Sequence, residues 1–150
     1  MQQQPSEAIV LAWSRLVRTG QTLLGKVEEE LKRAGFPPLT WYDVLLELDR
    51  APEGRLLQSV VQSRVMLAQY NLCRLADRLE REGLLQRFQC PDDARSNLLS
   101  ITDRGRELRR RMWPVYADAI SRYLGAQLGD AEAEDLARLL GKLGSEPGRN

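Results

Sequence analysis

Apolar side chains return every three or four residues along the first stretch of the chain, at Ile9, Trp13, Leu16, Gly20, Leu23, Val27 and Leu31. That spacing lays one stripe along an amphipathic helix and predicts a helix from about Ser6 to Ala34. Gly35 closes it, and Pro37 and Pro38 forbid its continuation. Thr40 is placed to cap a second helix, TWYDVLLELDR, in which Asp43 favours the positive end of the helix dipole. LLQSVVQS reads as a third helix, followed by a tight turn around RVML and a longer helix from about Ala68 to Glu82. The stripe of that longer helix is Leu72, Leu75, Ala76 and Leu79, and Gly83 ends it.

The period then drops to two. LLQRFQC and NLLSIT read as short strands, and PDDARS between them supplies the turn residues of a hairpin. Thr102 caps another long helix, DRGRELRRRMWPVYADAISRYLGAQL, where Pro114 removes one backbone bond and predicts a kink near Arg110 to Trp113. After Gly129, Asp130 caps a last helix with the stripe Leu136, Leu139, Leu140 and Leu143. The expected class is mostly α with a small β-hairpin wing (α+β), in one domain over 1–150. Its middle, 39–103, has the order of a winged helix-turn-helix. Such a unit reads duplex DNA by size: one helix fits the major groove and a thin hairpin reaches the adjacent minor groove.

Composition narrows the function. The 150 residues are 43% hydrophobic and 29% charged, the balance of a globular protein. Histidine is absent, which removes Ser-His and Cys-His nucleophile pairs and histidine metal ligands. No phosphate loop, nucleophile elbow or carboxylate pair stands out, so an enzyme is not expected, nor is a cofactor or a metal. Cys73 and Cys90 form no C-x-x-C pair and fit a reducing cytoplasm. The N-terminus lacks an export leader, and no apolar run approaches a membrane span. Net charge is only +1, but its distribution is uneven. Residues 1–54 carry 6 basic and 8 acidic side chains, 55–111 carry 12 and 7, and 112–150 carry 4 and 6. The basic middle suits contact with phosphate.

The run RLADRLEREGLLQRFQCPDDARSNLLSITDRGREL resembles the signature of the MarR (multiple antibiotic resistance regulator) family. In that family the recognition helix ends R-L-x-D-R-L-E-x-x-G-L-x-x-R, and a D-x-R wing precedes an L/I-T-x-x-G helix start. The resemblance is close over residues 39–110. It implies a homodimeric transcription regulator, usually a repressor of a pseudo-palindromic operator, with 6–35 and 103–145 as dimerisation helices. It places Gln69, Tyr70, Asn71 and Arg74 near base edges and phosphates, Arg95 in the minor groove, Asp93 as the partner of basic wing residues, and Arg87 as a backbone contact or partner for Asp93. Asn and Gln can make two bonds to adenine, and Arg can grip guanine or phosphate. Ala68 stands where the family commonly has a capping Ser, and Ala94 leaves Arg95 as the only basic side chain at the wing tip.

Arg78 and Arg81, set among Asp77, Glu80 and Glu82, read as a solvated or locally paired face; the run Arg109 to Arg111 fits DNA steering or a charged outer face equally well. Trp13, Trp41, Tyr42, Trp113 and Tyr116 lie outside the recognition unit, on helices that in the family enclose a small-molecule pocket. Aromatic walls suit a planar aromatic or phenolic effector, with Arg15 or Arg18 as a cationic partner, although core packing explains the rings as well. Two alternatives stay open at this point: thiol-redox control through Cys73 or Cys90, and a helical interaction or adaptor module without DNA binding, which would show no steep salt dependence on DNA.

Overall fold

The computed structural model describes residues 3–66, 71–90 and 93–144, with the side chains of Cys90 and residues 93–96 outside that description. Helix α1 (Glu7–Arg33) starts where the Ser6 hydroxyl accepts the Ile9 N–H at 3.3 Å. It ends where Gly35, at φ 81°, turns the chain so that the Phe36 N–H bonds the Leu31 carbonyl at 2.9 Å. Helix α2 (Leu39–Arg50) begins one residue before the predicted cap. Its free end is satisfied from a distance: Glu28 of α1 accepts the Leu39 N–H at 2.9 Å, and Thr40 caps nothing.

A short 3₁₀ turn at Pro52–Gly54 leads into β1 (Arg55–Leu57), then α3 (Gln58–Arg64). The sequence reading ran β1 into the third helix, because three residues of an apolar run carry no period of their own. Helix α4 (Leu72–Arg81) is followed by β2 (Leu85–Cys90) and β3 (Asp93–Ile101). The hairpin is therefore part of a three-stranded antiparallel sheet in the order β1-β3-β2, with Leu56 opposite Leu99 and Leu99 opposite Arg87. Helix α5 (Asp103–Ile120) runs through Pro114 and passes into a wider π-type turn at Ser121–Gly125. Helix α6 (Asp130–Gly141) starts with Gly129 as its cap residue, whose N–H is accepted by Glu132 at 3.2 Å; Asp130 is already helical.

Two apolar clusters meet at α2. Val44, Leu45 and Leu48 pack with Val61, Leu72, Ala76, Leu79 and the sheet residues Leu85 and Leu99, forming the core of the 39–103 unit. Leu39 and Tyr42 pack on the other side with Val27, Leu31, Met112 and Ala119 of α1 and α5. Each fully buried Leu contributes roughly 1.5–3 kcal/mol of transfer free energy. The two clusters therefore hold α5 to the winged unit through α2.

The junction of wing and α5 is tightly bonded. Thr102 accepts the Gly105 N–H at 3.1 Å, donates its hydroxyl to the Gly83 carbonyl at 2.7 Å, and its own N–H reaches the Leu84 carbonyl at 3.1 Å. A Cβ at Gly105 would lie 2.2 Å from the Leu84 carbonyl oxygen, so this approach needs glycine. By contrast, the first two-thirds of α1 and all of α6 keep no side chain fully buried within the chain: Trp13, Leu16, Val17, Leu139 and Leu140 are all exposed.

Candidate nucleic-acid interface

Helix α4 presents two faces set by its spacing. Leu72, Ala76 and Leu79 are buried against the core, and Arg74, Arg78 and Arg81 lie exposed on the other side. Asn71 sits before the first turn in extended conformation, and its side-chain oxygen accepts the Arg74 N–H at 3.2 Å. This corrects one expectation: the helix starts at Leu72 rather than near Ala68, and Asn71 serves as its cap. Gln69 and Tyr70, with Ala68, lie outside the described residues. Arg74 remains as an exposed guanidinium in the first turn, where a helix end enters a groove.

Arg87 is tied to helix α4. Its guanidinium is held by Asp77 and lies 3.5 Å from Glu80, both on α4, and Glu80 also accepts the Arg87 backbone N–H at 2.9 Å. Only 24% of the side chain is exposed, so Arg87 braces the wing's first strand against α4. Asp93 and Arg95 lie on β3, and their side chains are outside the description. Arg78 pairs with Glu82 at 3.6 Å and covers the Trp41 ring at 5.9 Å, a locally paired face. The Arg109–Arg111 run divides: Arg109 turns inward to Asp49, Arg110 lies 4.0 Å from Glu107, and Arg111 covers Phe36 at 5.6 Å. Exposed Cys73 on α4 accepts a hydrogen bond from Gln58 of α3 at 3.0 Å.

The aromatic residues do not form one pocket. Tyr42, Trp113 and Tyr116 make a cluster between α2 and α5, with Tyr42 stacked on Trp113 at 6.3 Å and edge-on to Tyr116 at 5.2 Å. They line a cavity of about 560 Å³ together with Asp43, Glu47, Asp49, Arg50 and Arg109. Trp13 and Arg15 instead line a separate groove of about 550 Å³ between α1 and α6, walled by Leu16, Leu139 and Leu140. Trp41 packs on the core of the winged unit. The rings were grouped by residue type, and helix phase separates them.

The polar side of the cavity was not anticipated. Asp49 takes hydrogen bonds from Arg106 and Arg109 of α5, each at 2.5 Å. Burial works to raise its pKa, but those two arginines outweigh it and hold the carboxyl below the ordinary aspartate value. Burial pushes Glu47 up, with Asp43 adding like-charge repulsion while Arg50 and Arg64 oppose it. Burial also raises the Tyr116 phenol, helped by Tyr42 and Asp43. The signal available in the sequence was spacing: Arg106 and Arg109 stand on one face of α5, and Asp43 and Glu47 on one face of α2. Among the described residues no group of three His, Cys, Asp or Glu is placed to hold a metal, and no helix is long and apolar enough to cross a membrane.

Comparison with known proteins agrees with this arrangement. The MarR family model matches residues 34–96, the span of the winged unit from the end of α1 into β3. The HTH-type transcriptional regulator YkoM of Bacillus subtilis (strain 168) is 35% identical over 113 residues, covering 75% of this chain and 71% of that protein. Sco3205 of Streptomyces coelicolor, a MarR family regulator solved in complex with DNA, superposes with a TM-score of 0.81 at 24% identity, over 95% of this chain and 89% of that one. CouR of Rhodococcus jostii RHA1, solved bound to p-coumaroyl-CoA, gives 0.70 at 27% identity, over 90% and 92%.

Proposed function

The chain belongs to the MarR family of transcriptional regulators, and from that premise we propose that it acts as a homodimeric repressor of a pseudo-palindromic operator, released by a small aromatic ligand. One observation carries the DNA-binding part: α4 turns an exposed arginine face, led by Arg74, away from a fully apolar seat, beside a hairpin braced to it through Arg87. A rigid helix-plus-wing unit of this kind offers one element to each groove. Arg74 contacts a base edge or phosphate, and Gln69, Tyr70 and the wing's Arg95 are further candidate contacts.

Unburied surface supports the dimer reading. The chain exposes 11049 Å², whereas a compact protein of 17.1 kDa exposes about 7,800 Å². The surplus, on the order of 3,000 Å² per chain, leaves ample surface for an obligate partner, whose interface covers about 1,000–2,500 Å² on each subunit. Its apolar part is the exposed stripe of α1 with that of α6, including Ile9, Trp13, Leu16 and Leu139. A second copy seated there sets two α4 helices about 34–36 Å apart, one turn of DNA.

The effector part rests on the cavity between α2 and α5. It adjoins the Asp49 clamp that joins the long helix to the winged unit, so a ligand that binds best when α2 and α5 are shifted selects a dimer whose readers miss successive grooves. CouR, at 27% identity, binds an aromatic acyl thioester. The test is fluorescence anisotropy with the DNA upstream of the protein's own gene. Nanomolar binding that falls steeply with salt is expected, weakened by Arg74→Ala. Equal, weak binding to every duplex would overturn the reading.

A further inference from the structure

We infer that Arg78 is a DNA-backbone contact of α4 and that Trp41 of α2 is the residue that positions it. The helix then grips a phosphate from its α2-facing flank while Arg74 enters the groove. The inference rests on the reading of α4 as the groove-entering helix and adds to it a second contact and that contact's support.

Helical spacing sorts the charges of α4 onto two flanks. At about 100° per residue, Arg74 points away from the buried stripe of Leu72, Ala76 and Leu79, Asp77 and Glu80 turn towards β2, and Arg78 turns the other way, towards α2. The carboxylates on the sheet side are engaged by Arg87. On the α2 side, the Arg78 guanidinium lies 5.9 Å from the centre of the Trp41 ring, within cation–π range. Trp41 is half-buried in the first turn of α2 and packs on the core of the winged unit, so the ring is a fixed platform. It offers no acceptor oxygen, and holding Arg78 there uses none of the guanidinium's N–H donors.

The flank is where a phosphate is met. A helix with its side chains is about 10–12 Å across and nearly fills a major groove about 12 Å wide, so its leading face meets base edges and its flanks meet the phosphate walls. Arg78 stands one turn beyond Arg74, about 6 Å along the axis. Its present partner is weak. Glu82 lies 3.6 Å from the Arg78 Nε, beyond hydrogen-bond distance, and the two side chains are 61% and 49% exposed. Such a surface pair yields to a phosphate, which accepts charge-assisted bonds from the same guanidinium. Trp41 favours that exchange by keeping a long, flexible side chain at the helix flank in the free protein, which leaves less ordering for the moment of binding.

Fluorescence anisotropy of the full chain across a salt series, on the DNA upstream of its own gene and on a scrambled duplex of the same length, tests this. Arg78→Gln is expected to weaken binding to both duplexes about equally and to make the slope of log affinity against log salt less steep by about 0.9 for each subunit bound. Trp41→Leu is expected to weaken binding roughly two- to fivefold in the parent and not at all in Arg78→Gln, while Trp41→Phe, which keeps a ring, keeps most of the affinity. If Arg78→Gln has no effect while Arg74→Ala still weakens binding, the inference is overturned and the groove reading stands; if neither arginine matters, both are overturned. A loss confined to the upstream DNA would make Arg78 a base reader and overturn the backbone assignment. Equal losses from Trp41→Leu in both backgrounds would mean that the ring acts through the fold alone and overturn its positioning role.

Discussion

Arg109 donates its Nε–H to Asp49 at 2.5 Å, joining the long helix α5 to α2 across the edge of the aromatic cavity. Arg106, almost one turn earlier, holds the other carboxylate oxygen. Because these partners keep the folded pKa of Asp49 below its ordinary value, the stability it supplies is complete above that value and is lost as pH falls through the folded one. Asp49→Asn is expected to cost about 1–2 kcal/mol at neutral pH, the loss of charge-assisted bonds at a partly buried site. The gap between variant and parent should narrow as pH falls below the ordinary aspartate value and through the lower folded one. Urea midpoints at several pH values check it; a gap that stays constant with pH would refute it.

Gly105→Ala is expected to destabilise the fold by about 2 kcal/mol or more, since the new methyl meets a backbone oxygen that cannot turn aside. Gly25→Ala is the contrast. Nothing lies within 4 Å of its added carbon, and it sits in the interior of α1. It should stabilise by roughly 0.5–1 kcal/mol through helix propensity. Thermal melts of the two variants read both effects.

Arg74 and Arg87 are expected to fail differently. Arg74→Ala removes an exposed contact and should lower operator affinity by about 1–3 kcal/mol with an unchanged melting temperature. Arg87→Ala leaves Asp77 and Glu80 facing each other without their shared cation, so it should lower the melting temperature and operator affinity together. A double-mutant cycle between positions 87 and 77 should return a coupling of about 1 kcal/mol.

Leu139→Glu places a charge on the exposed stripe of α6. It is expected to divide the dimer and, with it, most of the affinity for a two-half-site operator, while binding to a single half-site stays weak and unchanged. Gel shifts on full and half operators distinguish this from general unfolding.

Periodicity carried far in this chain. The stripe of α1, the buried face of α4 and the switch to period two at the wing were all legible because each repeats several times. What escaped was short or remote. β1 is three residues inside an apolar run, and the cap of α2 comes from Glu28, eleven residues before Leu39. Asn71 caps α4 where a longer helix, from about Ala68, is expected, because its side chain offers the backbone a bond that competes with continued helix. At the cavity, residue type groups five aromatic rings, but only Tyr42, Trp113 and Tyr116 share a site, and of the carboxylates beside them the sequence singles out Asp43 alone, for the helix dipole. The partners of Arg87, Asp77 and Glu80, lie on another element and carry no signal in local spacing.

The proposed pairing of two winged units through α1 and α6 underlies the rest, and sedimentation equilibrium of the free protein at micromolar concentration tests it most directly. A mass of about 34 kDa, twice the 17.1 kDa chain, falling to one chain's mass in Leu139→Glu, is the expected result. A parent protein that sediments as a single 17.1 kDa chain would contradict it.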